Sequence, residues 1–198
     1  MGDIRSMELA AIGTSHGGLA ALAAIFKNLS EDFILPVIIA YHRSRKSSWA
    51  YLEEYFSGFC RFKIKEVEDL EVIKPGCIYF APAGYHAIFE DHALMSVILD
   101  DYFNYSRPSI DILFDSAVEC YKNRLMGILL TGANTDGAKG LCRIAKAGGY
   151  TVVQDPSEAV AGVMPQGALD ICRPDSVENL NGISRLMNEA NACFREKI

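Results

Sequence analysis

Ala10-Ala11-Ile12-Gly13-Thr14-Ser15-His16-Gly17-Gly18-Leu19-Ala20-Ala21-Leu22 is the stretch on which the fold turns. An apolar run ends at Gly13, hydroxyl residues follow, two glycines come next, and apolar residues at helical spacing begin at once. The pattern predicts a buried strand stopping at a tight turn that opens a helix. Gly17 and Gly18 allow close approach to the backbone and left-handed torsions. Ser15 falls on the turn, near the N–H groups that a helix N-terminus leaves unpaired. A nucleophilic hydroxyl can be exposed there and a developing negative charge stabilised. Gly13 and Gly17 flank Thr14-Ser15-His16, but Gly18 departs from the G-x-S-x-G elbow of α/β hydrolases. Alone, the segment equally fits a phosphate-binding turn or a tight corner with an incidental serine.

Outward from this turn, Leu19, Leu22, Ala23, Phe26 and Leu29 mark one face of a first helix. Ile34 to Ala40 is a β-branched run, expected as a strand buried on both faces and ending at Tyr41-His42-Arg43. Trp49, Leu52, Phe56 and Phe59 predict a second helix closing near Gly58. Phe62 to Val67 alternates as a half-exposed strand, and Cys77 to Ala81 is another strand after the Pro75-Gly76 turn. His86 to Glu90 and Leu94 to Leu99 read as a hairpin, followed by a polar, aromatic loop from Asp100 to Ser106. Arg107-Pro108-Ser109 enters a helix with Pro108 in its first turn. Leu125 to Leu130 is a strongly apolar strand, succeeded by a glycine-flanked loop and a helix that Gly148-Gly149 breaks. Tyr150 to Gln154 is strand-like. Asp175 and Glu178 have the capping-box spacing for a last helix. Strand and helix alternate, so the expected fold is α/β: an open, doubly wound, mostly parallel sheet with helices on both faces.

Composition narrows the function. The chain has 198 residues and half of them are apolar, enough for one domain over 1–198 with a sizeable core. A net charge of −6 argues against sequence-independent binding to nucleic acid or anionic membrane. Arg43-Ser44-Arg45-Lys46 is a local basic patch, read as a solvated loop or helix start. The six cysteines are dispersed without a C-x-x-C pair, which fits a reducing, cytoplasmic setting without a zinc site. No signal peptide and no membrane span are expected.

In open α/β sheets, functional residues gather at the carboxyl ends of the strands. Three buried strands end here in Ser15, in His42 and in a loop holding Asp136. Nucleophile, imidazole and carboxylate are the residue types that acyl transfer needs. Each has a plain alternative: His42 as a core histidine bonded to backbone, Asp136 as the N-cap of the helix at Gly137-Ala138. Dinucleotide binding is disfavoured, because G-x-G-x-x-G spacing is absent and strand two ends in Tyr41-His42.

The chain resembles the catalytic domain of the CheB chemotaxis protein-glutamate methylesterases over nearly its whole length. The matching landmarks are Ile12-Gly13-x-Ser15-x-Gly17-Gly18, the strand ending in His42, and Ile78-Tyr79-Phe80-Ala81-Pro82 with Gly84-x-His86. They continue with Arg107-Pro108-Ser109-Ile110-Asp111-x-Leu113-Phe114, Leu130-Thr131-Gly132-x-x-x-Asp136-Gly137-Ala138, and Met164-Pro165. The resemblance implies a seven-stranded doubly wound sheet with an antiparallel hairpin and a Ser15–His42–Asp136 triad. It implies oxyanion or substrate contacts at His16, Gly17, Gly18 and Ala133, and neither cofactor nor metal. Its implied substrates are glutamate γ-methyl esters, and certain glutamines, on the cytoplasmic helices of methyl-accepting chemoreceptors. A separate response regulator or methyltransferase is a further implied partner. His16 stands where the family usually has threonine, Arg43 where it has methionine, and Ala133 where it has the methionine near the oxyanion. These departures keep a second reading open, a weakly catalytic module that docks receptors or signalling partners. Family members usually carry an N-terminal receiver domain. The present sequence starts a few residues before the first strand, so its activity is expected not to respond to a phosphodonor.

Overall fold

A computed structural model describes residues 2–101 and 106–198. The aromatic loop expected between Asp100 and Ser106 lies largely outside them. β1 (Leu9–Thr14), β2 (Val37–Tyr41), β3 (Lys63–Glu66), β5 (Cys77–Phe80), β8 (Leu125–Leu129), β9 (Tyr150–Gln154) and β10 (Ser176–Glu178) form one sheet in the order β10-β9-β8-β1-β2-β5-β3. Every pairing in it is parallel. A separate antiparallel sheet has the order β4-β7-β6, built from β4 (Glu71–Val72), β6 (His86–Phe89) and β7 (Leu94–Ile98). The doubly wound sheet and the hairpin are as expected, with the hairpin outside the main sheet.

Side-chain alternation along the strands divides the core in two. Ala10, Ile12, Val37, Ile39, Ile128 and Val152 face α1 (Gly18–Lys27), α2 (Trp49–Ser57) and α6 (Leu180–Arg195). Leu9, Ala11, Ile38, Ala40, Leu129 and Val153 face α3 (Ile110–Tyr121), α4 (Ala138–Lys146), α5 (Val163–Ile171) and the small sheet. The chain leaves β1 for β2 on one side and returns to β8 on the other. The crevice of the sheet therefore opens at the carboxyl end of β1.

Several local expectations need correction. β2 begins at Val37 and not at Ile34, because Asn191 Oδ1 takes the N–H groups of Ile34 and Leu35 and Pro36 has none to give. Pro108 precedes the N-cap residue Ser109 and is not in the first turn of α3. Asp175 and Glu178 form no capping box. Asp175 accepts from Thr151 and Gly2, Glu178 ends β10, and Asn179 caps α6 through Gly182 N–H at 2.8 Å. β4, β10 and α5 were not foreseen.

Candidate active site

β1 carries the nucleophile candidate to the crevice. Its last residue, Thr14, pairs with Tyr41 of β2, so Ser15 and His42 leave the sheet side by side. His42 N–H donates to the Thr14 carbonyl at 3.0 Å, and Ser15 N–H donates to the Thr131 carbonyl at 3.0 Å. Thr131 ties the turn down further: its hydroxyl donates to the His16 carbonyl at 2.8 Å and accepts from Ala161 N–H at 2.9 Å. Gly17 caps α1 with φ of 82°, and a β-carbon there would lie 2.6 Å from Val160 Cβ. The turn thus demands glycine for torsion and for space.

His42 and Asp136 meet. The His42 Nε2–Asp136 Oδ2 distance is 2.8 Å, with the ring 11% exposed and the carboxylate fully buried. Asp136 also accepts from Ile110 N–H at 2.7 Å, Ser109 Oγ at 3.0 Å and Asp111 N–H at 3.2 Å. These donors are the N-terminus of α3, where unpaired N–H groups and the helix dipole favour a carboxylate. Asp136 does not cap α4, as its local sequence suggested; Gly137 is the N-cap residue there. With four donors around an acceptor-only group, the imidazole proton resides on Nε2. Nδ1 is then the basic nitrogen, and it lies 3.3 Å from Ser106 Oγ.

The Ser15 hydroxyl forms no hydrogen bond to His42 among the described residues, so the structure holds a pre-formed His42–Asp136 pair beside an adjacent serine. The N–H groups of His16, Gly17 and Ala133 donate no hydrogen bond among the described residues, while Gly18 N–H donates to the Ser15 carbonyl. His16 and Ala133 are exposed and Gly18 is buried. Gly18 is closed off by packing, since a β-carbon would fall 2.5 Å from Thr14 Oγ1.

Sequence reasoning missed the support behind Asp136. His86 is fully buried, with Nδ1 accepting from Ser109 N–H at 3.1 Å and Nε2 3.0 Å from the Asp101 carbonyl. It fixes the α3 cap, which in turn holds Asp136. Asp111 is 2% exposed and accepts from Gly140 N–H at 2.7 Å. Burial, with the nearby Asp136 charge, pushes its carboxyl up to about 6.

The comparisons with known proteins converge on this site's fold. A family model described as CheB methylesterase matches residues 10–187. The chain belongs to the CheB methylesterase family. A Leptospira interrogans protein provisionally named protein-glutamate methylesterase/protein-glutamine glutaminase is 40% identical over 179 residues, covering 90% of this chain and 92% of that one. A Colwellia psychrerythraea protein-glutamate methylesterase/protein-glutamine glutaminase is 38% identical over 167 residues, 82% of this chain but 44% of its own length. The crystal structure of the Thermotoga maritima CheB methylesterase catalytic domain superposes with a TM-score of 0.86 at 28% identity, covering 92% of this chain and 98% of that one. No helix among the described residues is long and apolar enough to cross a membrane.

Proposed function

We propose that this CheB-family chain hydrolyses glutamate γ-methyl esters, and deamidates glutamines, on chemoreceptor helices through Ser15, His42 and Asp136. The observation that carries the reading is the buried His42–Asp136 hydrogen bond at the strand end next to Ser15. Ser15 Oγ attacks the γ-carbonyl carbon, and its proton passes to His42 Nδ1. The tetrahedral oxyanion takes hydrogen bonds from the N–H groups of His16 or Gly17 and of Ala133, which have no other acceptor among the described residues. His42 then protonates the departing methoxide, releasing methanol, or the departing amine, releasing ammonia. Water, deprotonated by the same imidazole, cleaves the acyl-enzyme and leaves glutamate. Asp136 keeps Nε2 protonated and stabilises the imidazolium. Proton transfer requires Ser15 Oγ to close onto Nδ1, from which Ser106 Oγ lies 3.3 Å away, a tightening common when substrate binds.

The test is methanol release from a methylated receptor fragment. Ser15→Ala and His42→Ala are each expected to cost on the order of 10⁴-fold, with the double variant little worse. His16→Thr is expected to retain turnover, since His16 acts through its backbone. Wild-type turnover in Ser15→Ala would overturn the mechanism. The second reading, a receptor-docking module with little turnover, draws on the open Ser15–His42 contact. Stoichiometric receptor binding without methanol release would favour it.

A further inference from the structure

Four cations border a cleft that begins at His42. The cleft, of about 450 Å³, is lined by His42, Ser106, Arg43, Arg45, Lys46 and Arg107, with no carboxylate among its described lining residues. The chain as a whole carries −6, so this concentration of positive charge runs against its average. The cations are also placed. Arg43 has a side chain only 4% exposed, paired with Glu66 and 5.8 Å from the Trp49 ring centroid. Its Nε and Nη1 are buried with no hydrogen-bond partner among the described residues. The Arg45 stem lies against Gly84, where any β-carbon would collide with it, and its guanidinium is 5.9 Å from the Tyr85 ring centroid. Arg107 donates to the Asp100 backbone carbonyl. Arg45 and Lys46 are exposed and join no ion pair among the described residues. The basic loop read as merely solvated is therefore the wall of a cationic cleft opening onto the histidine.

We propose that this cleft recognises carboxylates flanking the reacting glutamyl group on the substrate helix. The proposal rests on the esterase reading above and adds its specificity device. On a helix, residues three and four positions away share a face, about 5–6 Å apart between β-carbons. His42, Arg45 and Lys46 line the same cleft, so with the ester carbonyl at His42 the proposal places glutamates one turn away against Arg45 and Lys46. Arg43, buried and paired with Glu66, holds the start of the basic segment beside His42. Neutral neighbours on the substrate helix would offer no charge to the exposed Arg45 and Lys46. Selection is thus for an ester embedded in an acidic helical surface.

The experiment measures binding, so it does not depend on turnover. Ser15→Ala protein is titrated by fluorescence anisotropy against two labelled helical peptides. Each carries one glutamyl methyl ester; the flanking i±3 and i±4 positions are Glu in one and Gln in the other. The Glu peptide is expected to bind about tenfold more tightly at low salt, the sum of a few partly exposed ion pairs. The advantage should shrink as salt rises from about 0.05 to about 0.5 M. Arg45→Glu combined with Lys46→Glu should abolish or invert it, and the single exposed Lys46→Glu should halve it or more if the double variant does not fold. Equal binding of the two peptides, or a preference unchanged by charge reversal, overturns the proposal. So does displacement of the Glu peptide by millimolar inorganic phosphate at constant ionic strength, which would mark a general anion site. Absence of methanol release by the wild-type protein would sink the esterase reading and leave this result standing.

Discussion

Asp111 is the buried carboxylate with the clearest consequence. It lies beside Asp136 in a nearly water-free setting, and its proton leaves near pH 6 in the fold against an ordinary value of 3.8. Between those values the folded chain holds a proton that the unfolded chain has released. Its contribution therefore lowers stability as pH rises from about 4 to about 6, and the loss persists above. Asp111→Asn keeps an oxygen for Gly140 N–H and removes the charge. The melting temperature of the variant minus that of the wild type should rise across that window and then level off. A flat difference would show that Asp111 ionises without cost. Nothing in Asp111's immediate sequence announces this, because its neighbours Asp136 and Gly140 arrive from another part of the chain.

Helix α3 works through its first turn. Ser109 Oγ accepts from Ile112 N–H at 3.4 Å and donates to Asp136 Oδ1 at 3.0 Å, so one hydroxyl both caps the helix and holds the carboxylate. Ser109→Ala should cost about 1–2 kcal/mol in urea unfolding. It should lower kcat about tenfold with KM little changed, because a loosened Asp136 misorients His42. Ser109→Thr should restore both. A stability loss with kcat intact would mean that Ile110 and Asp111 N–H suffice to hold Asp136. At this scale the sequence was legible where periodicity and turn chemistry are local: β1, its glycine turn and α1, the hairpin, and the strand ends bearing Ser15, His42 and Asp136. It was not legible where a distant partner decides. α5 has no clear helical signature in the sequence, with Pro165 and Gly167 inside it. Yet Pro165 falls in the first turn, where no N–H is needed, and a β-carbon at Gly167 would lie 2.7 Å from Thr135 Cγ2. The plain alternative for Asp136, a cap of the helix beside it in sequence, fails because tertiary packing sets it at the start of α3.

At the scale of the whole molecule, the sheet separates two hydrophobic cores, one on each face, built on alternate residues of the same strands. Ile183 of α6 is fully buried in the core on the α1 side, and Ile144 of α4 is fully buried in the core on the α3 side. Ile→Val at each should cost about 0.5–1.5 kcal/mol. The effects should add in the double variant to within about 0.5 kcal/mol, because neither deleted methyl borders a shared cavity. The contrast lies within one core. A β-carbon at Gly127 would lie 2.6 Å from Ile144 Cδ1 and 3.1 Å from Leu141 Cδ1, so both side chains pack over one glycine of β8. Ile144→Val with Leu141→Ala should therefore couple by more than about 0.5 kcal/mol, as one relaxing side chain fills part of the other's void. The site inherits the same asymmetry. α3 and α4 flank Asp136, so turnover should fall further with Leu141→Ala than with Ile183→Val at matched fraction folded. Unfolding midpoints and kcat measured on the same samples check this. Equal coupling for the two pairs would mean that the strands transmit packing strain through the sheet, and that the two faces cannot be treated as independent.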